Sequence, residues 1–312
     1  LKLSVEGCKV GKLIAIEPRS FPEYEAAVIQ SGGELGPVDS ETRGLIWTDY
    51  SNPQALNKLL IAHPQIDWVQ LPFAGVDAFA KTLVLPHRFT SAKGSYREPV
   101  AEHALALSLA LMRDLPTRVR ATSWGKPFAV SLYDAEVLIY GGGGITQELV
   151  KLLSPFRSKI TVVRKQAGIP IEGATVVASS ELEPHLSNAD LVIVTAALTD
   201  ETRHIFDARA FAAMKPTAYF VNIARGPVVV TKDLVAALNS ATIAGAGIDV
   251  TDPEPLPDGH PLWVAANVII TPHTADTRPM VVRLFSERIS ENTRRFLADE
   301  PLIGQVSKEL GY

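Results

Sequence analysis

Apolar residues along the 312-residue chain gather in short runs separated by helical patterns and turn residues. Lys12-Leu13-Ile14-Ala15-Ile16, Gly44-Leu45-Ile46-Trp47-Thr48 and Asp67-Trp68-Val69-Gln70-Leu71 each read as a strand. Short apolar runs belong to strands covered on both faces, as in parallel sheets. Helices are predicted between them, over Tyr24 to Ser31 with Gly32-Gly33 as the stop, and from Pro53 through Ile61. Proline suits a first helical turn. A second series of strands runs through Val137–Tyr140, Lys159–Val163, Ala189–Thr195, Ala218–Ile223, Ala244–Val250 and Asn267–Thr271. Between the two series, Pro99 opens a helix to Arg113 that is apolar on nearly every side, so burial between domains or subunits is expected. Glu102 and His103 lie at its start. Adjacent helix residues do not face each other, so both are read as structural.

One stretch of the second series differs from the rest. Val137 to Tyr140 is followed by four glycines, Gly141 to Gly144, and then by the helical pattern Ile145 to Val150. Strand, glycine turn and helix in that order cradle the phosphates of a dinucleotide. Gly141 permits the tight turn, Gly143 lets the backbone approach a pyrophosphate, and the helix amino end meets its charge. The fingerprint is incomplete, because its third glycine is Thr146, and a glycine run also occurs in loops that bind nothing. The expected fold class is α/β with two parallel-sheet domains. A Rossmann dinucleotide-binding domain over residues 96–278 is inserted in a smaller, flavodoxin-like substrate domain. The smaller domain takes residues 1–95 and is completed by 279–312, reached by a long amphipathic helix from Thr277 to Leu297.

Composition narrows the function. A net charge of −4 offers no basic excess for nucleic acid. Cys8 is the one cysteine. It excludes an internal disulfide, fits a reducing compartment, and reads as a small buried side chain. The start lacks the basic-then-apolar pattern of a leader. Val100 to Met112, the longest apolar segment, is shorter than the roughly 20 residues of a bilayer span. No membrane association, no metal and a cytoplasmic location are therefore expected.

Candidate chemistry sits after the strands. Loops beyond the carboxyl ends of parallel strands are where such folds bind ligands. Arg164-Lys165 follows the second strand of the dinucleotide domain, where an NAD site places an acid for the ribose hydroxyls. Arg164 in that place suits a 2′-phosphate, so NADP is preferred to NAD, although a solvated basic turn tolerates either. Thr195 and Ala224 end two further strands beside the expected cofactor. Three successive strands then end at or near Arg225, Glu254 and His273. Singly, these are an ordinary surface cation, acid and imidazole. Repeated at one sheet edge, they form a candidate catalytic set. In the first domain, Phe73-Ala74-Gly75 follows a strand and can point amides at a carboxylate, or be a plain turn. Tyr50 and Arg97 are possible pocket residues.

These motifs together resemble the D-isomer-specific 2-hydroxyacid dehydrogenases. The matching stretches are VAEHALALSLALMR at 100–113, GGGGI at 141–145, LTDETRHIF at 198–206, NIARGPVV at 222–229, AGIDVTDPEPLP at 246–257 and TPHTA at 271–275. The resemblance implies reversible hydride transfer between NAD(P)H and a small 2-oxo or 2-hydroxy acid, as in a glyoxylate/hydroxypyruvate reductase. Alternatives are a phosphoglycerate dehydrogenase-like enzyme or a non-catalytic dinucleotide-sensing corepressor. It assigns catalysis to Arg225, Glu254 and His273, with Arg225 also on the substrate. It places the substrate carboxylate at Phe73, Ala74 and Gly75, and the dinucleotide at Gly143, Gly144 and Ile145. Asp249 falls where the family contacts the nicotinamide carboxamide, and a homodimer is implied.

Overall fold

The computed structural model describes residues 12–307, so Cys8 and its expected burial lie outside the described residues. The chain divides into two units: residues up to Ser95 together with those from Arg278 onward, and Tyr96–Thr277.

The smaller unit runs β1 (Leu13–Glu17), α1 (Pro22–Gln30), β2 (Glu34–Leu35), β3 (Thr42–Trp47), α2 (Pro53–Ala62), β4 (Trp68–Gln70) and β5 (Arg88–Thr90). The strands form one five-stranded sheet in the order β2-β1-β3-β4-β5. Every pairing in it is parallel, with Ile16 opposite Ile46 and Leu45 opposite Val69. α2 starts where Asn52 accepts the amide of Ala55, the usual N-cap device, with Pro53 behind it. Leu45, Leu56, Leu60, Val69 and Phe79 form a core on this sheet. The helix Arg278–Leu297 closes the unit. It packs on α1 through the Tyr24–Phe285 edge contact, and Phe296 stacks on Trp68. Buried Asn292 on that helix donates to Gln70 and to the Ile303 carbonyl and accepts the Ile303 amide. A buried amide with its partners all supplied fixes a helix position without a desolvation penalty.

The larger unit runs α3 (Arg97–Met112), α4 (Leu115–Arg118), β6 (Glu136–Tyr140), α5 (Gly144–Leu153), β7 (Lys159–Arg164) and β8 (Thr175–Ala178). It continues through α6 (Leu182–Leu186), β9 (Leu191–Val194), α7 (Ala208–Ala212), β10 (Tyr219–Asn222), α8 (Thr231–Asn239), β11 (Gly245–Ile248) and β12 (Val268–Ile270). Its seven strands are ordered β12-β11-β10-β9-β6-β7-β8, and all pairs are parallel. The α/β class with two parallel sheets is thus the observed one. The chain begins this sheet at β6, builds outward to β8, then returns to the other side of β6 with β9. That reversal makes the β6/β9 boundary the switch point where the crevice of an open α/β sheet lies.

α3 departs from expectation in one respect. Val100, Ala101, Ala104, Leu107, Ser108, Leu111 and Met112 form a buried stripe on α5 and on β10, β11 and β12, but Glu102 and Ala106 face solvent. The helix is covered on one side within this unit, not all round. On the opposite part of the sheet, Phe206, Phe211 and Phe220 interlock at ring separations of 5.0 and 5.3 Å. That cluster backs β9 and β10 and holds their carboxyl ends in place.

Candidate active site

The glycine turn forms at the switch point. Gly141 has φ +119°, and a Cβ there would stand 2.6 Å from the Ala196 nitrogen and the Thr195 hydroxyl. Only glycine accepts both that conformation and that approach. Gly143 caps α5, and a Cβ on it would meet nothing within 4 Å. The amides of Gly144 and Ile145 donate no hydrogen bond among the described residues. Unpaired donors at the start of a helix suit an anion.

Thr146 does not loosen the turn. It is fully buried, its hydroxyl donates to the Gly141 carbonyl at 2.9 Å, and it bonds the Thr195 hydroxyl at 2.8 Å. The departure from the fingerprint is a hydroxyl strut between α5 and the ends of β6 and β9. Sequence reasoning saw only a missing glycine. The Thr195 side chain is likewise committed to this strut and to the Tyr140 carbonyl.

Arg164 ends β7 and lies across Gly142, where a Cβ would come within 2.6 Å of its Cδ and 2.7 Å of its Nε. Its guanidinium carries no ion pair or hydrogen bond among the described residues. Lys165 instead pairs with Glu201 at 2.6 Å, with both side chains largely exposed. The two cations read together in sequence therefore separate: one is uncommitted beside the glycines, the other is tied to the loop after β9. Open helix amides next to a free guanidinium fit a phosphate-bearing dinucleotide.

The ends of β10, β11 and β12 hold the second group. Buried Asn222 accepts the Ala224 amide and donates to the Arg225 carbonyl, both at 3.0 Å, and so turns the chain to present Arg225. Ala224 is buried, and its carbonyl accepts from the Arg225 guanidinium at 2.8 Å. At Gly226 a Cβ would fall 1.9 Å from the Thr251 carbonyl oxygen. The turn bearing Arg225 therefore lies directly against the loop bearing Glu254. Glu254 Oε1 meets His273 Nδ1 at 2.6 Å, and both side chains are about two-fifths exposed.

The electrostatics follow from this geometry. The hydrogen bond to Glu254 raises the His273 pKa above its ordinary value, while burial and the Arg225 charge pull against it. The same bond holds Glu254 low, against its burial, with the His273 and Arg225 charges adding. Arg225 thus acts on both partners, and the three groups share one edge of one sheet. Asp276, which sequence reasoning passed over, is pushed up by burial, with the His273 charge opposing that.

His273 itself has φ +51°, an uncommon left-handed backbone for a histidine. Its amide donates to the Asp249 carbonyl at 2.8 Å and to the Thr271 carbonyl at 3.0 Å. The Asp249 carboxylate is 1% exposed and accepts the amides of Thr274 and Ala275 at 2.9 and 3.2 Å. Burial pushes Asp249 up, but hydrogen bonds from His103, Thr271 and Thr274 leave it below the usual carboxylate range. Its oxygens are largely occupied by the loop, a use that the resemblance did not suggest.

In the smaller unit, Phe73-Ala74-Gly75 follows β4. The amides of Ala74 and Gly75 donate no hydrogen bond among the described residues. Tyr50 stands edge-on to Phe73 at 5.5 Å and donates to Asp77 at 3.1 Å, so it does border this loop. Arg97 is an exposed residue at the start of α3. Among the described residues no cluster of His, Cys, Asp and Glu is placed to hold a metal, and no helix is long and apolar enough to cross a membrane.

Residues 104–275 match the profile of the D-isomer specific 2-hydroxyacid dehydrogenase, NAD binding domain. A protein from the proB 3′ region of Corynebacterium melassecola is 38% identical over 93% of this chain and 97% of its own. A glyoxylate/hydroxypyruvate reductase B from Salmonella schwarzengrund is 31% identical over 83% of this chain and 79% of its own. A D-isomer specific 2-hydroxyacid dehydrogenase from Xanthobacter autotrophicus Py2, solved with NADPH and MES, superposes with TM-score 0.84 at 28% identity, covering 97% of this chain and 99% of that one. Fold and profile define an oxidoreductase built on a Rossmann sheet. The chain belongs to the NAD(P)-dependent D-isomer-specific 2-hydroxyacid dehydrogenases.

Proposed function

We propose that this enzyme reduces a small 2-oxo acid such as glyoxylate or hydroxypyruvate, with NADPH preferred to NADH. The 2.6 Å contact between His273 and Glu254, with Arg225 in electrostatic reach, carries the reading. The bound nicotinamide would supply the hydride. His273 donates a proton from Nε2 to the substrate 2-oxo oxygen, since Nδ1 is engaged by Glu254. Glu254 orients the ring and keeps it protonated to higher pH. Arg225, cationic at any working pH and forked, binds the carboxylate and polarises the oxo group. In the smaller unit, Ala74 and Gly75, flanked by Phe73, offer amides of the kind a carboxylate takes. Gly141, Gly143, Gly144 and Ile145 are assigned to the pyrophosphate, and Arg164 to a 2′-phosphate. Lys165, Thr195 and Ala224 serve the same site from its walls. Asp249 keeps one oxygen with a single 3.2 Å bond, from Ala275, for a nicotinamide carboxamide.

A homodimer and a reducing, cytoplasmic location belong to the same proposal. Val119, Trp124 and Phe128 are 78%, 96% and 60% exposed on the segment after α4, a large apolar surface for a single chain to leave in water. One cysteine in the whole sequence supports the compartment.

The test is a panel of 2-oxo acids, each with NADPH and NADH, followed by loss of the reduced-nicotinamide absorbance. Glyoxylate or hydroxypyruvate with NADPH should give the highest kcat/KM. Charged hydrogen bonds contribute about 1.5–3 kcal/mol, so Arg164→Ala should cost roughly 10- to 100-fold with NADPH and little with NADH. An NADH preference that Arg164→Ala leaves unchanged defeats the cofactor assignment. Tight nucleotide binding with no turnover on any acid favours a sensing role instead.

A further inference from the structure

We propose that His103 is a positioning residue for the reaction, acting through Thr271 and Asp249 on the loop that carries His273; this rests on His273 being the proton donor. The argument starts from α3. Its residues His103, Leu107 and Leu111 are spaced by four and so lie on one helix face. That face lies on β11: a Cβ on Gly247 would stand 3.1 Å from Leu107 Cβ and 3.2 Å from Leu111 Cδ1. One turn further toward the helix start, the face reaches the carboxyl end of β11, where Asp249 follows Ile248. Glu102, the neighbouring residue, faces solvent and takes no part.

His103 Nε2 lies 3.0 Å from the Thr271 hydroxyl and 3.3 Å from Asp249 Oδ1. The Thr271 hydroxyl donates to Asp249 Oδ1 at 2.6 Å. A hydroxyl has one hydrogen, and this one is spent on the carboxylate. The Thr271 oxygen must therefore accept from His103, which fixes a hydrogen on Nε2. The bonds run in one direction, from imidazole N–H to threonine hydroxyl to carboxylate, an order in which each bond polarises the next.

The carboxylate is the end of that relay and also the grip on the loop. Asp249 takes the amides of Thr274 and Ala275 with its side chain and the amide of His273 with its backbone carbonyl. Both sides of the left-handed His273 are thereby tied to one residue. Without the His103 donor, Thr271 and Asp249 lose their common partner, and the loop gains freedom at the residue that must meet Glu254 and the substrate. A displacement of about 1 Å at a reacting group costs about 100-fold in rate.

The experiment uses the full chain and two variants. His103→Gln keeps an N–H donor of similar reach, and His103→Leu removes it. With NADPH and the best 2-oxo acid, His103→Leu should lower kcat roughly 10- to 100-fold, leave KM for acid and cofactor near wild type, and leave the melting temperature nearly unchanged. His103→Gln should restore most of kcat. Amide hydrogen exchange at His273, Thr274 and Ala275 should speed up in His103→Leu and not in His103→Gln. Equal kcat losses in both variants, a loss carried by KM, or unchanged exchange in His103→Leu overturns the proposal. The exchange is read without turnover. Inactivity of the wild-type chain on every acid would thus defeat the functional reading and be distinguished from failure of the clamp.

Discussion

Two turns at the carboxyl edge of the same seven-stranded sheet are built on opposite plans. After β6 the chain dispenses with side chains: Gly141 to Gly144 expose backbone, and a single hydroxyl pair, Thr146 with Thr195, braces the turn from below. After β11 and β12 the chain concentrates them: Glu254 meets the His273 imidazole, while His103 and Thr271 meet the Asp249 carboxylate, which accepts the amides just beyond His273. The first plan makes room for a ligand that brings its own reactive carbon. In the proposed mechanism the second aims a proton, and aim requires a braced side chain. Backbone openness and side-chain orientation are separate tasks, and the fold assigns them to separate strand ends.

The sharpest way to break this division is His273→Ala. General acid catalysis contributes about 10²–10⁴-fold, so kcat for reduction should fall by that order while NADPH affinity, measured by fluorescence titration, stays near wild type. A parallel loss of nucleotide binding would show that the two turns are not independent. A smaller effect is expected from Glu254→Gln. In the wild-type chain the hydrogen bond to Glu254 holds the His273 pKa above its ordinary value. Reduction needs the protonated ring, so kcat/KM should be level on the acid side of that raised pKa and fall as pH rises through it. Glu254→Gln should move the fall to lower pH; an alkaline limb that stays in place removes Glu254 from the role. The smallest effect belongs to the glycine turn. Thr146→Val keeps the shape and deletes the hydroxyl, leaving the Gly141 carbonyl short of a donor, at about 1–3 kcal/mol in stability. Denaturant unfolding should show that loss with kcat nearly intact. A kcat loss as deep as that of His273→Ala would erase the contrast.

Much of this was legible in sequence. Strands buried on both faces announce themselves as apolar runs, and β1, β3, β4, β6, β7, β9, β10, β11 and β12 were found that way. β2, β5 and β8 were not. They are two to four residues long and lie at sheet edges, and β8 has no fully buried residue to mark it. The placement of Arg225, Glu254 and His273 could be anticipated because parallel strands end on a common edge. His103 could not, since a histidine in an apolar helix carries no mark of a partner far along the chain. The bracing by Thr146 is hidden for a related reason: a fingerprint records the residue that is usual, and a hydroxyl that braces a turn by other means reads only as a missing glycine.

The close passage at Gly226 bears on any attempt to reshape this enzyme for bulkier acids. Because the backbones on either side of it nearly touch, a shift of the loop presenting the guanidinium would press on the loop presenting the carboxylate. Redesign that widens the space around Arg225 must carry Glu254 along, so selection for new substrates would be expected to settle on peripheral positions and spare this seam.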